Sequence, residues 1–183
     1  LLTEKALKSL YYSLFHSHLI YGIQIYSCAS PSNLNQIIIK QKKAVRCIKN
    51  SRYNAHSGIL FKELKILPFE SLCSYFKLKF MYEYKNHLLP RSFVNLWNIR
   101  GSMNGNHLLR NNNEFTVPRF RLSLVERLPL CSFPNHWNKF IDTFGVKNSL
   151  TMKQFCAKLK KNMLESIPTV CVRLLCPSCH LRL

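Results

Sequence analysis

Near its C-terminus the chain carries Cys171, Cys176, Cys179 and His180 in the run Cys171-x4-Cys176-Pro177-Ser178-Cys179-His180. Cys176 and Cys179 make a Cys-x-x-Cys pair, and thiolates at this spacing with an imidazole beside them suit a tetrahedral Zn²⁺. Structural zinc sites usually pair two such knuckles, so a zinc site, an incomplete knuckle and inert thiols all remain open here. The other cysteines stand singly on apolar stretches and read as reduced, buried thiols of an intracellular protein, nuclear or cytoplasmic. No local signature joins any cysteine to a histidine as a nucleophilic pair.

Carboxylate chemistry is poorly provided for. The chain has 27 lysines and arginines against 8 acids, a net charge of +19, and Asp142 is its sole aspartate. Glu4, Glu63, Glu70, Glu83, Glu114, Glu126 and Glu165 are scattered singly, whereas a two-metal polymerase or nuclease centre needs several convergent carboxylates to hold Mg²⁺ ions about 4 Å apart. A catalytic metal centre is therefore expected elsewhere.

The cations themselves suggest polyphosphate. Lys40, Lys42, Lys43, Arg46, Lys49 and Arg52 succeed one another without an acid between them, a linear electrostatic track for a phosphate backbone. Spacing gives no sign of specific base reading. Tyr11, Tyr12, Tyr21, Tyr26, Tyr75, Tyr82 and Tyr84 are of the type that stacks on nucleobases, but at helical spacing they are expected in the core, as is His18.

The elements that must position these groups read as helices. At 183 residues with 47% apolar content the chain has enough to bury a core despite its charge. Five glycines disfavour a turn-rich β fold and any Gly-rich phosphate loop. Leu7, Leu10, Tyr11, Leu14, Phe15, His18, Leu19 and Ile25 share one half of a first helix, capped by Thr3. Pro31 starts a second, with Leu34, Ile37, Ile38, Ala44, Val45 and Ile48 inside an arc of about 120° and Lys42, Lys43, Arg46 and Lys49 opposite. Next come a turn at Asn54 to Ser57, a short helix to Leu67, and a longer helix opened by Pro68.

From Asn98 to Asn113 the sequence is Asn- and Gly-rich, linker chemistry. The expected organisation is a helical bundle over 1–95, a linker over 96–113 and a less regular region over 114–183. In the last of these, Phe115 to Val125 reads as extended, Pro129 and Pro134 punctuate the next stretch, and a helix spans Thr151 to Ser166 and ends at Pro168. No membrane span is expected: His16, His18, Gln24, Asn33, Asn35 and Gln36 interrupt the uncharged run from Ser9 to Ile39 and Pro31 breaks it. Opening on Leu1 directly before a helical pattern, the chain reads as a piece of a longer protein.

Several segments in one order carry a family resemblance. They are Leu10-Tyr11-Tyr12-Ser13-Leu14 through Leu19-Ile20-Tyr21-Gly22, Gln41-Lys42-Lys43-Ala44-Val45-Arg46-Cys47-Ile48, Leu60-Phe61-Lys62-Glu63-Leu64-Lys65-Ile66-Leu67-Pro68, Lys79-Phe80-Met81-Tyr82 with Leu89-Pro90-Arg91-Ser92-Phe93, His107 to Arg110, Trp137-Asn138, and Phe155 to Leu164. In this order they resemble the region downstream of the polymerase core in non-LTR retrotransposon reverse transcriptases of the jockey-like group. The resemblance covers about the whole chain. It implies a helical thumb up to about residue 95 and a C-terminal region that helps hold template and primer. The family's Tyr/Phe-x-Asp-Asp motif, fingers and palm have no counterpart here, so no catalytic residue is carried over.

The expected function is that of the nucleic-acid-holding thumb and C-terminal segment of an RNA-directed DNA polymerase, inactive alone. Its partners would be an RNA template or RNA/DNA duplex and the fingers and palm of the parent chain, whose Mg²⁺ is not bound by these residues; no membrane is implied. The alternatives are a stand-alone basic RNA- or DNA-binding protein or domesticated remnant, and a helical protein of a large ribonucleoprotein.

Overall fold

A computed structural model describes residues 2–99, 114–118, 120–144 and 150–168. The fold is mainly α, as expected. Extended pairing among the described residues is confined to one antiparallel bridge, Ile99 to Phe115, and none of their helices is long and apolar enough to cross a membrane.

Thr3 caps α1 (Glu4–Leu10) through its Oγ1, which accepts the Ala6 N–H at 3.3 Å. The chain then leaves regular α geometry. Tyr11–His16 forms a π turn, followed by α2 (Ser17–Ile20) and α3 (Ile23–Tyr26), with Gly22 between them at φ +66°. A wider turn shifts the phase of the apolar stripe. Tyr11, Leu19 and Ile23 are buried and Phe15 half-buried, a recurrence every four residues, while Leu10, Leu14, His18 and Ile25 face solvent. The expectation of a buried His18 is thus corrected: it assumed an unbroken helix of 3.6 residues per turn.

Pro31 occupies the first turn of α4 (Pro31–Ile48), where its missing N–H costs nothing. Next come α5 (Ser57–Leu64) and α6 (Phe69–Lys85). All three helices stop in the same way. Asn50, Lys65 and His87 take φ of 46°, 55° and 54°, and behind each the chain folds back. Ser51 N–H bonds Arg46 O at 3.0 Å, Ile66 N–H bonds Phe61 O at 3.0 Å, and Leu88 N–H bonds Glu83 O at 2.9 Å. This is the Schellman closure, normally built on glycine at the left-handed position. The Gly-poor chain uses Asn, Lys and His instead. Further on lie α7 (Ser123–Arg127), α8 (Pro129–Phe144) and α9 (Met152–Glu165).

The chain divides into two compact units that interleave in sequence. The first takes the chain up to Ile23, then Ser30–Leu72 and the chain from Lys158 on; the second takes Gln24–Ala29 and Cys73–Ala157. The boundaries expected at 95 and 113 both fall within the second unit's stretch, and most of the linker expected at 96–113 lies outside the described residues.

In the first unit, Tyr11, Val45, Ile48, Phe61, Leu64, Ile66 and Ile167 form the core, flanked by Leu7, Phe15, Ala44, Leu60 and Leu164. Gln41 is a polar hub beside it, 1% exposed. Its Nε2 donates to the Tyr11 hydroxyl and to Leu67 O, each at 3.0 Å, and its Oε1 accepts the Phe69 N–H at 2.7 Å. One amide therefore joins the π turn, α4 and the start of α6. Burial pushes the Tyr11 phenol up to about 12, against the lowering effect of the Gln41 hydrogen bond. Gly58 admits the chain closely: a Cβ there would collide with Pro168 O.

The second unit is held by aromatic rings. Tyr82 stacks on Phe155 with centroids 4.2 Å apart, its hydroxyl donating to Leu150 O. Phe80, Trp97 and Phe133 pack edge-to-face and offset-stacked. The Tyr84 hydroxyl accepts the Trp97 N–H at 2.9 Å and donates to Trp97 O at 2.8 Å. Asn138 grips Phe115 at both ends, Oδ1 accepting its N–H and Nδ2 donating to its C=O, each at 2.9 Å.

Pro134, expected to punctuate this region, lies inside α8 and is fully buried. A proline at this position cannot donate to the carbonyl four residues back. That carbonyl, Leu130 O, accepts the Trp97 indole N–H at 2.7 Å instead. The acceptor that the helix leaves open is closed by a side chain from another segment, which is why the helix continues.

Candidate nucleic-acid interface

Of the six cations read from the sequence, the structure separates those that serve the fold from those that face solvent. Lys40, Lys43 and Arg52 are exposed and Lys42 is half-exposed. No carboxylate lies within ion-pairing distance of these four among the described residues.

Arg46 and Lys49 behave differently. Arg46 is 8% exposed, and its Nε donates to Ala55 O at 2.9 Å, tying the following turn to α4. Lys49 Nζ lies 3.2 Å from both Glu4 Oε2 and Glu63 Oε2. Hydrogen bonds to Glu63 and then Glu4 raise its pKa by favouring the charged form. The expected placement of both on the outward arc is corrected. At about 100° per residue, Lys49 stands about 40° and Arg46 about 100° from the buried Val45, whereas Lys40 and Lys43 stand about 140° and 160° away. The acids that balance Lys49 come from elsewhere in the chain, which a local reading of charge could not see.

The tyrosines split as well. Tyr11 and Tyr82 are buried as expected, but Tyr12 and Tyr21 are exposed, Tyr21 at 86%, and Tyr53 beside Arg52 is 70% exposed. Among the described thiols, Cys73 and Cys131 are buried, Cys28 and Cys156 half-buried, and Cys47 exposed, none of them in a disulfide. The expectation that Cys47 is buried is therefore corrected: it comes after Arg46 around α4 and reaches the outer face. Cys171, Cys176, Cys179 and His180 lie outside the described residues, as do His107 and Arg110. No three His, Cys, Asp or Glu side chains converge among the described ones.

A further polar feature sits within the second unit and has no signature in the sequence. A cavity of about 750 Å³ is lined by Lys77, Arg127, Lys139, His136, Glu126, Phe120 and their neighbours. Lys77 lies on the α6 face that packs inward, 7% exposed, with Nζ 6.0 Å from the centre of the Phe133 ring. The His136 Nδ1–H donates to Ser132 O at 2.8 Å. Burial, joined by the nearby Lys77 and Lys139 charges, lowers its pKa despite that bond. Burial raises the Cys131 thiol, with Glu126 adding to the effect.

No protein-family model, curated protein or solved structure matches this chain.

Proposed function

We propose that this chain is the nucleic-acid-holding thumb and C-terminal segment of a retrotransposon reverse transcriptase. It positions an RNA template or RNA/DNA duplex through phosphate contacts while nucleotide transfer takes place on the polymerase core of the parent chain. The observation that carries the reading is uncompensated charge: a net +19, with Lys40, Lys43 and Arg52 exposed and without a carboxylate partner among the described residues. Ordinary solvated faces mix signs; a face left unbalanced attracts polyphosphate and releases its counterions. The order of the sequence segments supports the same reading. So does the exposure of Leu10 at 43%, Leu14 at 64% and Tyr21 at 86% on the N-terminal helices, apolar surface of the kind that the fingers and palm would cover.

The test is a salt titration of duplex binding by the triple variant Lys40→Gln, Lys43→Gln, Arg52→Gln. These side chains are exposed, so helical content and melting should be unchanged. The slope of log K against log salt should fall in magnitude by roughly 0.7 to 0.9 for each phosphate no longer neutralised, equally for unrelated sequences. A titration that overlays the parent would remove α4 from the interface.

A further inference from the structure

We propose that the cavity in the second unit is a binding site for the phosphate group of a nucleotide, with Lys77 as its central anchor. Lys77 lies nine-tenths buried and lines the cavity, and no carboxylate of the described residues pairs with it. Its hydrocarbon stem accounts for that burial, while Nζ is not among the buried polar atoms and is open to whatever fills the cavity. The Phe133 ring face lies 6.0 Å from Nζ. A ring quadrupole is a weak counterpart for an ammonium, and an anion in the cavity is a stronger one.

The surroundings favour a phosphate over a carboxylate or chloride. Arg127 also lines the cavity, with Glu126 the single carboxylate of the lining, so Lys77 and Arg127 together outnumber the acid there. Arg127 Nε is held by Ser123 O at 3.3 Å, which positions a guanidinium, the group whose planar fork suits phosphate. His136, fixed by its bond to Ser132 O, adds a ring edge. Phe120, 41% exposed at the lining, offers a base an apolar face. At about 750 Å³ the cavity has room for a mononucleotide.

The phosphate could belong to a free nucleotide or to a strand; the strand source rests on the nucleic-acid reading above, and the mononucleotide source does not. Calorimetric titration of the full chain with adenosine monophosphate, adenosine and a short oligodeoxyadenylate separates them. Adenosine monophosphate should bind about tenfold or more tightly than adenosine. Lys77→Met, which keeps the hydrocarbon stem and drops the charge, should weaken it by about tenfold or more, and Lys77→Arg should restore most of it. Loss of oligonucleotide affinity in Lys77→Met assigns the strand as the source; unchanged oligonucleotide affinity assigns the free nucleotide. The α4 triple variant should bind adenosine monophosphate like the parent, so failure of that surface leaves this site standing. If Lys77→Met fails to fold, Arg127→Gln serves, with an expected loss of about fivefold or more. No binding of adenosine monophosphate by the parent, or equal binding by a folded Lys77→Met or Arg127→Gln variant, overturns the proposal.

Discussion

The two units solve the same problem, satisfying polar groups inside a helical protein, by different means. In the first, a side-chain amide is the hub and ion pairs are local: Gln41 joins three segments, and Lys49 is held between Glu4 and Glu63. In the second, rings fill the core, backbone groups are closed by Trp97, Tyr84 and Asn138, and the buried cation Lys77 has an aromatic face in place of a carboxylate. The contrast separates two kinds of positive charge. A lysine that already has its acids serves the fold, whereas one beside only a ring keeps its charge available to an anion.

The strongest challenge to this contrast is removal of the first unit's hub. Gln41→Leu keeps the volume but leaves the Phe69 N–H and Leu67 O buried without their partner. Stability should fall by about 3 kcal/mol, read from urea denaturation followed by helical signal. A loss under about 1 kcal/mol would mean that water replaces the amide and the hub is incidental.

A double-mutant cycle sharpens the second unit's side of the comparison. Trp97→Phe should destabilise because Leu130 O loses its donor. Pro134→Ala restores a helical N–H that can reach the same carbonyl, so Trp97→Phe should cost about 1 kcal/mol less in that background. Strict additivity would show that the indole contributes only by packing.

The smallest expected effect is a feature the units share. Lys65 in the first and His87 in the second hold left-handed backbone at φ 55° and 54°. Lys65→Gly and His87→Gly should each stabilise by about 1 kcal/mol, since glycine adopts that conformation without a Cβ penalty. Equal gains would mark these closures as independent of what each unit packs around them. A loss at either would mean that the side chain contributes more than its strain costs.

Much of the helical frame was legible from local signals. Thr3 caps as its position suggests, Pro31 opens α4, and Met152, Phe155, Leu159 and Met163 at helical spacing mark α9. The failures have a common cause. The π turn at Tyr11–His16 sends His18 and Leu14 outward because one wider turn rephases every residue after it. Pro134 reads as a breaker, yet α8 runs through it because Trp97 satisfies the carbonyl it leaves open, from a donor far away in sequence. The stop of α5 at Leu64 falls early because a lysine takes a conformation that sequence reading reserves for glycine.

The candidate interface divides along the same line. By itself the sequence determined the charge excess, the dearth of carboxylates and the helical class, because composition and short-range periodicity suffice for those. Only the tertiary structure decided which cations are free. Arg46 turns inward to a carbonyl nine residues on, Lys49 meets carboxylates from α1 and α5, and Lys77 is drawn into the second unit beside Phe133. A charge is a property of a residue, but its balance depends on what the fold brings within about 4 Å of it, and that distance is unrelated to separation along the chain.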